Sequence, residues 1–282
     1  MMSKRIVSIG RYLGGKVRLA RQILPYLQQK CSLYSEPMAG LYTLGLNLYH
    51  APLRCGFELN LRTHNLLVQI RDNAADLIAA INASPRDPLT LDLCWLQADD
   101  PLEDARRYYW VSMATYNGGG TRWNSGVTKG RSRKCLRHRA DHLWAVRDRL
   151  QGVDLFLGDG LEHIPALDTL GTLHYFDPTY HNSVRGAKDK RHADPQASLT
   201  RNQYAFETDQ DRLLAVVSRM RGAVVVSGYP NLYYADALEG WKTVDIKALD
   251  ASRQPRTERL WLNPQAWARL PQFQLELLQC CN

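Results

Sequence analysis

Four short, mostly apolar runs in this chain each lead into an acidic residue, and helix-like segments separate the runs. They are LYSE, which ends at Glu36, LRCGFE, which ends at Glu58, VDLFLGD, which ends at Asp159, and LHYFD, which ends at Asp177. The order strand, turn, helix, strand is typical of parallel α/β sheets, because parallel neighbours need a crossover connection. The sequence therefore predicts an α/β fold with a Rossmann-like sheet.

The remaining patterns divide the chain into three parts. Helical spacing is expected in VRLARQILPYLQQ, TLGLNLYH, LLVQIRDNAADLIAAI and TDQDRLLAVVSRM, and strands are expected in GAVVVSGY, WKTVDIKAL and RTERLWLNP. The α/β alternation is lost after Ala83, where Pro, Gly and Asp become frequent around one helix near 105–115, and it resumes near residue 151. We therefore predict a core formed by residues 1–81 and 151–282, interrupted by an inserted, mostly helical domain at 82–150.

Positive charge is concentrated in the predicted insertion. The 282 residues carry a formal net charge of +8, and residues 121–149 alone hold nine Lys/Arg against two Asp. A basic stretch of this density favours a polyanionic partner, chiefly nucleic acid, although a solvated basic face has the same composition.

The cysteine pattern and the hydropathy predict an intracellular protein. The six cysteines form no CxxC pair, which favours a reduced compartment. We find neither a secretion signal at the N-terminus nor an apolar run long enough for a membrane span, so we expect a cytoplasmic protein without a membrane partner. Cys135, His138 and His142 have a spacing compatible with metal ligands, but no fourth ligand is near and the basic surroundings repel cations, so no metal is predicted.

Three of the acidic strand ends are candidate cofactor contacts, since ligands of open α/β sheets bind beyond the carboxyl ends of the strands. The turn after Glu36 places backbone N–H groups before a predicted helix, and Gly40 permits a close approach. Glu58 follows Glu36 by 22 residues, about where ribose hydroxyls are accepted in this architecture. Asp159 lies between two glycines. An ordinary turn or a solvated strand-end acid is the alternative at each position.

The stretch HYFDPTYHN, residues 174–182, has the groups needed to hold an exocyclic amino group of a base. Asp177 can accept one amino hydrogen, the Pro178 carbonyl can accept another, and the Tyr180 ring can stack on the base. Such positioning would align the nitrogen with an electrophilic methyl group. A base within a duplex must first be flipped out into such a pocket.

Together these segments resemble, in order along nearly the whole chain, the Dam-type DNA adenine-N6 methyltransferases that depend on S-adenosylmethionine. DPTY is similar to the family's DPPY motif, RYLGGK to its aromatic-x-GGK segment, and EPMAGLY to its EPFxGxG cofactor motif. GFELN resembles the acid-x-N strand end, and TYNGGGTRWN resembles the YNGxxRxN recognition segment with one added residue. The two parts of the core would then form the methyltransferase domain, and 82–150 would recognise the DNA target.

The resemblance implies roles for individual residues. The implied catalytic residues are Asp177, Pro178 and Tyr180. The implied S-adenosylmethionine contacts are Tyr12, Lys16, Glu36, Gly40, Glu58, Asp159 and Asp177. The implied contacts to double-stranded DNA are Tyr116, Asn117, Arg122 and Asn124. The basic run adds Lys129 and Arg131 as candidate phosphate contacts.

Three positions depart from the family pattern: Leu41 and Tyr42 in the cofactor turn, and Thr179 in place of the second proline. These departures leave open a DNA-binding protein of the same fold that has lost catalysis. An enzyme that modifies RNA or cytosine N4 is a further alternative, because the residues around another amino acceptor would be similar.

Overall fold

The fold is taken from a computed structural model, which describes residues 6–12, 14–48, 50–85, 88–115, 123, 140–180, 207–249 and 254–270. Within these residues one seven-stranded sheet forms the centre of the molecule. Its strands are β1 (Leu33–Glu36), β2 (Leu53–Glu58), β3 (Val153–Leu157), β4 (Thr172–Phe176), β5 (Ala223–Gly228), β6 (Lys242–Leu249) and β7 (Pro255–Leu262).

The strand order is β3-β2-β1-β4-β5-β7-β6. The first five strands in this order are parallel, and their arrangement 3-2-1-4-5 is that of a doubly wound sheet. β7 pairs antiparallel with both β5 and β6. The predicted Rossmann-like α/β sheet is confirmed, with an antiparallel hairpin added at one edge.

Helices cover both faces of the sheet. They are α1 (Ala20–Leu27), α2 (Leu61–Asp72), α3 (Ala74–Ala83), α4 (Pro88–Leu93), α5 (Pro101–Ala114), α6 (Leu143–Leu150), α7 (Gly160–Leu167), α8 (Gln210–Val217), α9 (Leu232–Ala237) and α10 (Pro264–Ala268). The alternation along β5 shows the two sides: Val225 belongs to one hydrophobic cluster, while Val224 and Val226 belong to the other. Apolar residues on both faces are expected of parallel strands that are covered on both sides.

Several helices begin at the carboxyl ends of strands because a polar side chain caps them there. Asn60, two residues after β2, accepts hydrogen bonds from the backbone N–H groups of Arg62 and Thr63 at 3.0 and 3.1 Å. Asp159, two residues after β3, accepts one from Leu161 at 2.9 Å. Each cap satisfies N–H groups that the first helical turn leaves unpaired, and it fixes where the chain turns back over the sheet.

Two predicted helices differ from the helices that the structure shows. The described residues of the segment 43–50 hold a 3₁₀ turn, Gly45–Asn47, but no α-helix. The Asn47 side chain bonds there to the backbone of Val7 and Thr43. The segment 66–81 lies in two helices, since α2 ends and α3 begins around Asn73, whose φ is −128°. At the first place the Asn47 side chain hydrogen-bonds to nearby backbone and competes with a continuous helix. At the second place the Asn73 side chain donates to the Gln69 side chain.

The predicted inserted domain, 82–150, lies partly outside the described residues and stays a prediction. Its described helices α5 and α6 contribute Tyr109, Trp110 and Leu143 to the same hydrophobic cluster as Leu66 of α2. No helix in the described part of the chain is both long enough and apolar enough to cross a bilayer.

Candidate active site

A cavity of about 240 Å³ lies at the carboxyl edge of the sheet, beyond the ends of β1, β2 and β4. Parallel strands deliver their last residues to one edge, so acids that are far apart in sequence meet there. The residues predicted to bind the cofactor or to carry the transfer all line this cavity: Tyr12, Lys16, Glu36, Gly40, Glu58, Asp159, Asp177, Pro178 and Tyr180. Their functional roles remain predictions.

Lys16 is the central cation of the cavity. Its Nζ lies 2.5 Å from Asp177 Oδ1 and 3.4 Å from Glu258 Oε1, and its side chain is only 5% exposed. Burial alone would lower the pKa of Lys16, but the neighbouring carboxylates of Asp177 and Glu258 raise it well above its ordinary value. Lys16 therefore remains an ammonium ion between two acids.

One oxygen of Asp177 is held from two sides. Oδ1 accepts hydrogen bonds from Lys16 Nζ and, at 3.0 Å, from Ser227 Oγ at the end of β5. Ser227 in turn accepts a hydrogen bond from the Tyr175 hydroxyl at 2.8 Å. Among the described residues no group donates to the other oxygen, Oδ2.

The hydroxyl of Tyr180 is directed towards Glu258. It donates to the carboxylate, with distances of 3.0 and 2.8 Å to the two oxygens. The Tyr180 ring packs against Tyr229, with 4.3 Å between centroids. Burial and the Glu258 carboxylate both raise the pKa of Tyr180 well above its ordinary value, so the hydroxyl stays protonated.

Glu36 is buried beneath the turn that follows β1. Its Oε1 accepts hydrogen bonds from the Tyr34 hydroxyl at 2.9 Å and from the Gly45 backbone N–H at 2.6 Å. Burial raises the pKa of Glu36 to about 8, although these two hydrogen bonds oppose the shift. Glu36 thus fixes the turn and also borders the cavity.

Glu58 ends β2 and holds the same turn from the other side. Its Oε1 accepts the backbone N–H of Asn60 at 2.7 Å, and the N–H groups of Gly40 and Leu59 also stabilise its carboxylate. Burial nevertheless raises the pKa of Glu58 to about 7. The Glu58 carboxyl group therefore ionises at a higher pH than an exposed glutamate.

Gly40 has a backbone conformation and a neighbour that both require glycine. Its φ is +50°, and a Cβ at this position would lie 2.9 Å from Cε1 of the Tyr12 ring. Glycine therefore lets Tyr12 close over the turn that borders the cavity.

Asp159 has partners for both of its carboxylate oxygens. Oδ1 caps α7 through the N–H of Leu161, and Oδ2 forms an ion pair with Arg212 of α8. A ligand that binds Asp159 through Oδ2 must therefore share this oxygen with Arg212.

Tyr42, which departs from the family pattern, does not occupy the cavity. Its φ is +52°, and its fully buried ring packs against Gly45 and Gly56 rather than among the residues that line the cavity. Leu41 borders the cavity but is only 3% exposed. Leu41 and Tyr42, which depart from the family pattern in this turn, therefore leave the cavity open.

A Ser–His–Asp array elsewhere in the sheet lacks access to a ligand. Ser35 Oγ lies 2.6 Å from His174 Nδ1, and His174 Nε2 lies 3.2 Å from Asp168 Oδ1. Ser35 and His174 are fully buried, and the cavity described above does not include them. Asp168 also accepts the N–H groups of Arg221 and Gly222, so the array joins structural elements.

The predicted DNA contacts fall in a part of the chain that the structure does not describe. Tyr116, Asn117, Arg122, Asn124, Lys129 and Arg131 all lie outside the described residues. The same holds for Cys135 and His138 of the possible metal-ligand spacing, while His142 bonds to the Ile9 carbonyl at 2.8 Å. In the described ranges no group of three or more His, Cys, Asp or Glu side chains could hold a metal ion.

Sequence reasoning missed two residues that hold the site together, Glu258 and Ser227. Both lie in predicted strands, and Ser227 follows the apolar run AVVV. Glu258 shares the alternating face of Leu260 and Leu262 in β7 and is 1% exposed. A carboxylate at a buried strand position requires a charged or hydrogen-bonding partner.

Comparisons with known proteins leave the family open. No family model matches the chain, and no curated protein matches it. Similar solved structures include the "putative RNA methyltransferase PH1948" of Pyrococcus horikoshii, with 8% identity, a TM-score of 0.34, and 87% of this chain and 79% of the other covered. They also include an rRNA methylase of Streptococcus thermophilus, with 10% identity, a TM-score of 0.33, and 89% of this chain and 98% of the other covered. These likenesses are too distant to assign an activity, so the functional proposal rests on the cavity itself.

Proposed function

We propose that this chain is an S-adenosylmethionine-dependent methyltransferase that acts on the N6 amino group of a flipped-out adenine in double-stranded DNA. One observation carries the proposal. Asp177, Pro178 and Tyr180 share a single cavity with Lys16 and with the strand-end acids Glu36, Glu58 and Asp159.

The protein's own groups suit an amino acceptor. Lys16 and Ser227 hold Oδ1 of Asp177, so Oδ2 accepts one amino hydrogen from a defined direction. The Pro178 carbonyl accepts the second. Tyr180 offers its ring, because its hydroxyl is already bound to Glu258. Fixing two acceptors and a stacking plane aligns the amino nitrogen without any covalent step by the protein.

The residues at the other end of the cavity fit the cofactor. Gly40 can approach a ligand closely, Glu58 offers a carboxylate to paired hydroxyls, and the turn after Glu36 borders the same space. When bound, S-adenosylmethionine supplies an electrophilic methyl group on a sulfonium. The acidic residues that line the cavity outnumber its two lining cations, Lys16 and Arg212, and would favour this positive charge where they are ionised; they are Glu36, Glu58, Asp159, Asp177, Glu207 and Asp209. The cavity volume, about 240 Å³, lies just below the range of ligand pockets, which begins at about 300 Å³.

Incubation with S-adenosylmethionine labelled in its methyl group and with double-stranded DNA, followed by nucleoside analysis, tests the proposal. We expect N6-methyladenine from the wild-type chain. Asp177→Asn, which keeps the shape of the side chain, should reduce the transfer rate by about 100-fold or more while DNA binding persists. The exposed Asp236→Asn serves as a matched control and should transfer like wild type.

Four results would overturn the proposal or parts of it. A chain that binds S-adenosylmethionine in a calorimetric titration but methylates neither DNA nor RNA would not be this enzyme, and a chain that fails to bind it would be the non-catalytic DNA-binding alternative. If the product is methylcytosine, or if only RNA is methylated, the chain is a methyltransferase with a different acceptor. Full activity of Asp177→Asn would remove the assigned acceptor role.

A further inference from the structure

Thr179 stands where the family pattern has a second proline, and it forms hydrogen bonds that a proline cannot form. Its backbone N–H donates to Thr208 Oγ1 at 3.1 Å, and the Thr208 N–H donates to Thr179 Oγ1 at 2.8 Å. The two threonines are 29 residues apart, and this reciprocal pair joins the end of the DPTY motif to the chain just before α8.

The carbonyl of Thr179 is held as well. Gln210 Nε2, in the first turn of α8, donates to this oxygen at 2.7 Å and to the Thr208 carbonyl at 3.2 Å. Tyr234 of α9 donates to Gln210 Oε1 at 2.5 Å and so fixes the orientation of the amide. Both peptide planes beside Thr179 are therefore anchored by side chains from the segment 208–210.

The anchoring acts on a neighbouring group of the proposed reaction. The Pro178–Thr179 peptide is planar and trans, like every peptide bond described here. In a trans peptide the C=O points opposite to the N–H. When Thr208 Oγ1 fixes the Thr179 N–H, it therefore also fixes the direction of the Pro178 carbonyl, the proposed acceptor of the second amino hydrogen.

We propose that Thr208 is a positioning residue of the methyl transfer: its hydroxyl anchors the Thr179 N–H and thereby aims the Pro178 carbonyl at the substrate amino group. A second proline would restrict φ through its ring and has no N–H to anchor. In this chain two hydrogen bonds to Thr208 and one to Gln210 replace that ring. The inference rests on the proposed function and adds a residue that neither the motif nor its spacing indicates.

The test compares Thr208→Val, which removes the hydroxyl and keeps the volume, with Thr208→Ser, which keeps the hydroxyl. We expect Thr208→Val to lower kcat about tenfold or more, with little change in the Kd for S-adenosylmethionine, and Thr208→Ser to restore most of the rate. Hydrogen exchange at the Thr179 amide should be faster in the valine variant only. Thr243→Val, at an exposed position of β6, is the matched control.

A double-mutant cycle separates this role from a general loss of stability. Thr179→Pro removes the N–H and the hydroxyl together, so Thr208→Val should have little further effect on kcat in that background. The inference fails alone if wild type transfers methyl groups and Thr208→Val has the same kcat, or if Thr208→Ser does not rescue it. A wild-type chain that methylates no nucleic acid overturns this inference together with the proposed function.

Discussion

Tyr42 occupies a backbone conformation that ordinarily favours glycine. A side chain with φ near +52° is disfavoured by about 1–2 kcal/mol relative to the right-handed region. Its ring offsets this cost through burial: it fills the space beside Gly45 and Gly56, where added Cβ atoms would lie 2.2 and 3.0 Å from ring atoms. Glycines at positions 45 and 56 thus leave the space that the Tyr42 ring occupies.

The hydroxyl of Tyr42 provides a stability prediction at this residue. Among the described groups it has no hydrogen-bond partner, although it is fully buried. Tyr42→Phe keeps the ring and removes this unsatisfied group, so we expect the free energy of unfolding in urea to rise by about 1 kcal/mol. Tyr42→Gly relieves φ but leaves a void, and it should lower stability by about 3 kcal/mol. A less stable phenylalanine variant would show that the hydroxyl has a partner.

At the level of elements, the sequence was informative where one local pattern determines an element. The apolar runs that end in Glu36, Glu58 and Asp177 predicted the strands and the edge at which the acids meet. The order of the strands did not follow, since a parallel sheet permits several orders and long-range pairing selects among them. The helix break at Asn73 was missed because its neighbours on both sides keep helical spacing.

The contribution of β7 was also beyond local reasoning. Its register beside β5, with Gly228 opposite Arg259, carries Glu258 to the carboxyl edge of the sheet. Only this antiparallel pairing brings Glu258 to Lys16 and to Tyr180, which come from the first and the middle parts of the chain. The segment RTERLWLNP was predicted as a strand, but neither the burial of its acid nor the partners of that acid were predicted.

The hydrogen bond from Tyr180, which follows β4, to Glu258 of β7 predicts which part of Tyr180 contributes to the transfer rate. Because the hydroxyl donates to Glu258 and Tyr180 lines the cavity, we expect the ring rather than the hydroxyl to contact a base. Tyr180→Phe should therefore retain kcat within about threefold of wild type, whereas Tyr180→Leu should lose about 10- to 100-fold, the range of one base-stacking contact. Single-turnover transfer to DNA measures both. A phenylalanine variant as slow as the leucine variant would assign the hydroxyl a direct role.

For the whole molecule, the net charge is positive, whereas acidic residues outnumber basic ones around the cavity. The chain carries a net charge of +8, yet Glu36, Glu58, Asp159 and Asp177 border one cavity, with Lys16 and Arg212 as the cations among its lining residues. In the proposed function this division suits a cationic cofactor held inside and a polyanionic substrate outside. Because burial raises the pKa values of Glu36 and Glu58 in this cavity, the stability of the fold depends on pH.

That dependence has a definite sign. Burial raises the pKa of Glu36 to about 8 and that of Glu58 to about 7, both from an ordinary 4.5. Between about pH 4.5 and 8 the folded chain therefore holds protons that the unfolded chain has released. Stability from these groups is greatest below about pH 4.5, falls as pH rises through this window, and levels off above about pH 8. The fall is at most about 1.4 kcal/mol per pH unit for each group.

Urea unfolding of wild type and of the Glu36→Gln/Glu58→Gln double variant at pH 5, 6.5 and 8 measures this effect. Glutamine resembles the protonated acids, so the two proteins should have similar stability at pH 5, and wild type should become progressively less stable than the variant by pH 8. All other titrating groups cancel in this difference, and Glu239→Gln, at an exposed position, controls for the loss of one surface charge. A difference that does not change with pH would mean that the folded chain holds both carboxylates ionised, with water or a cation compensating their burial.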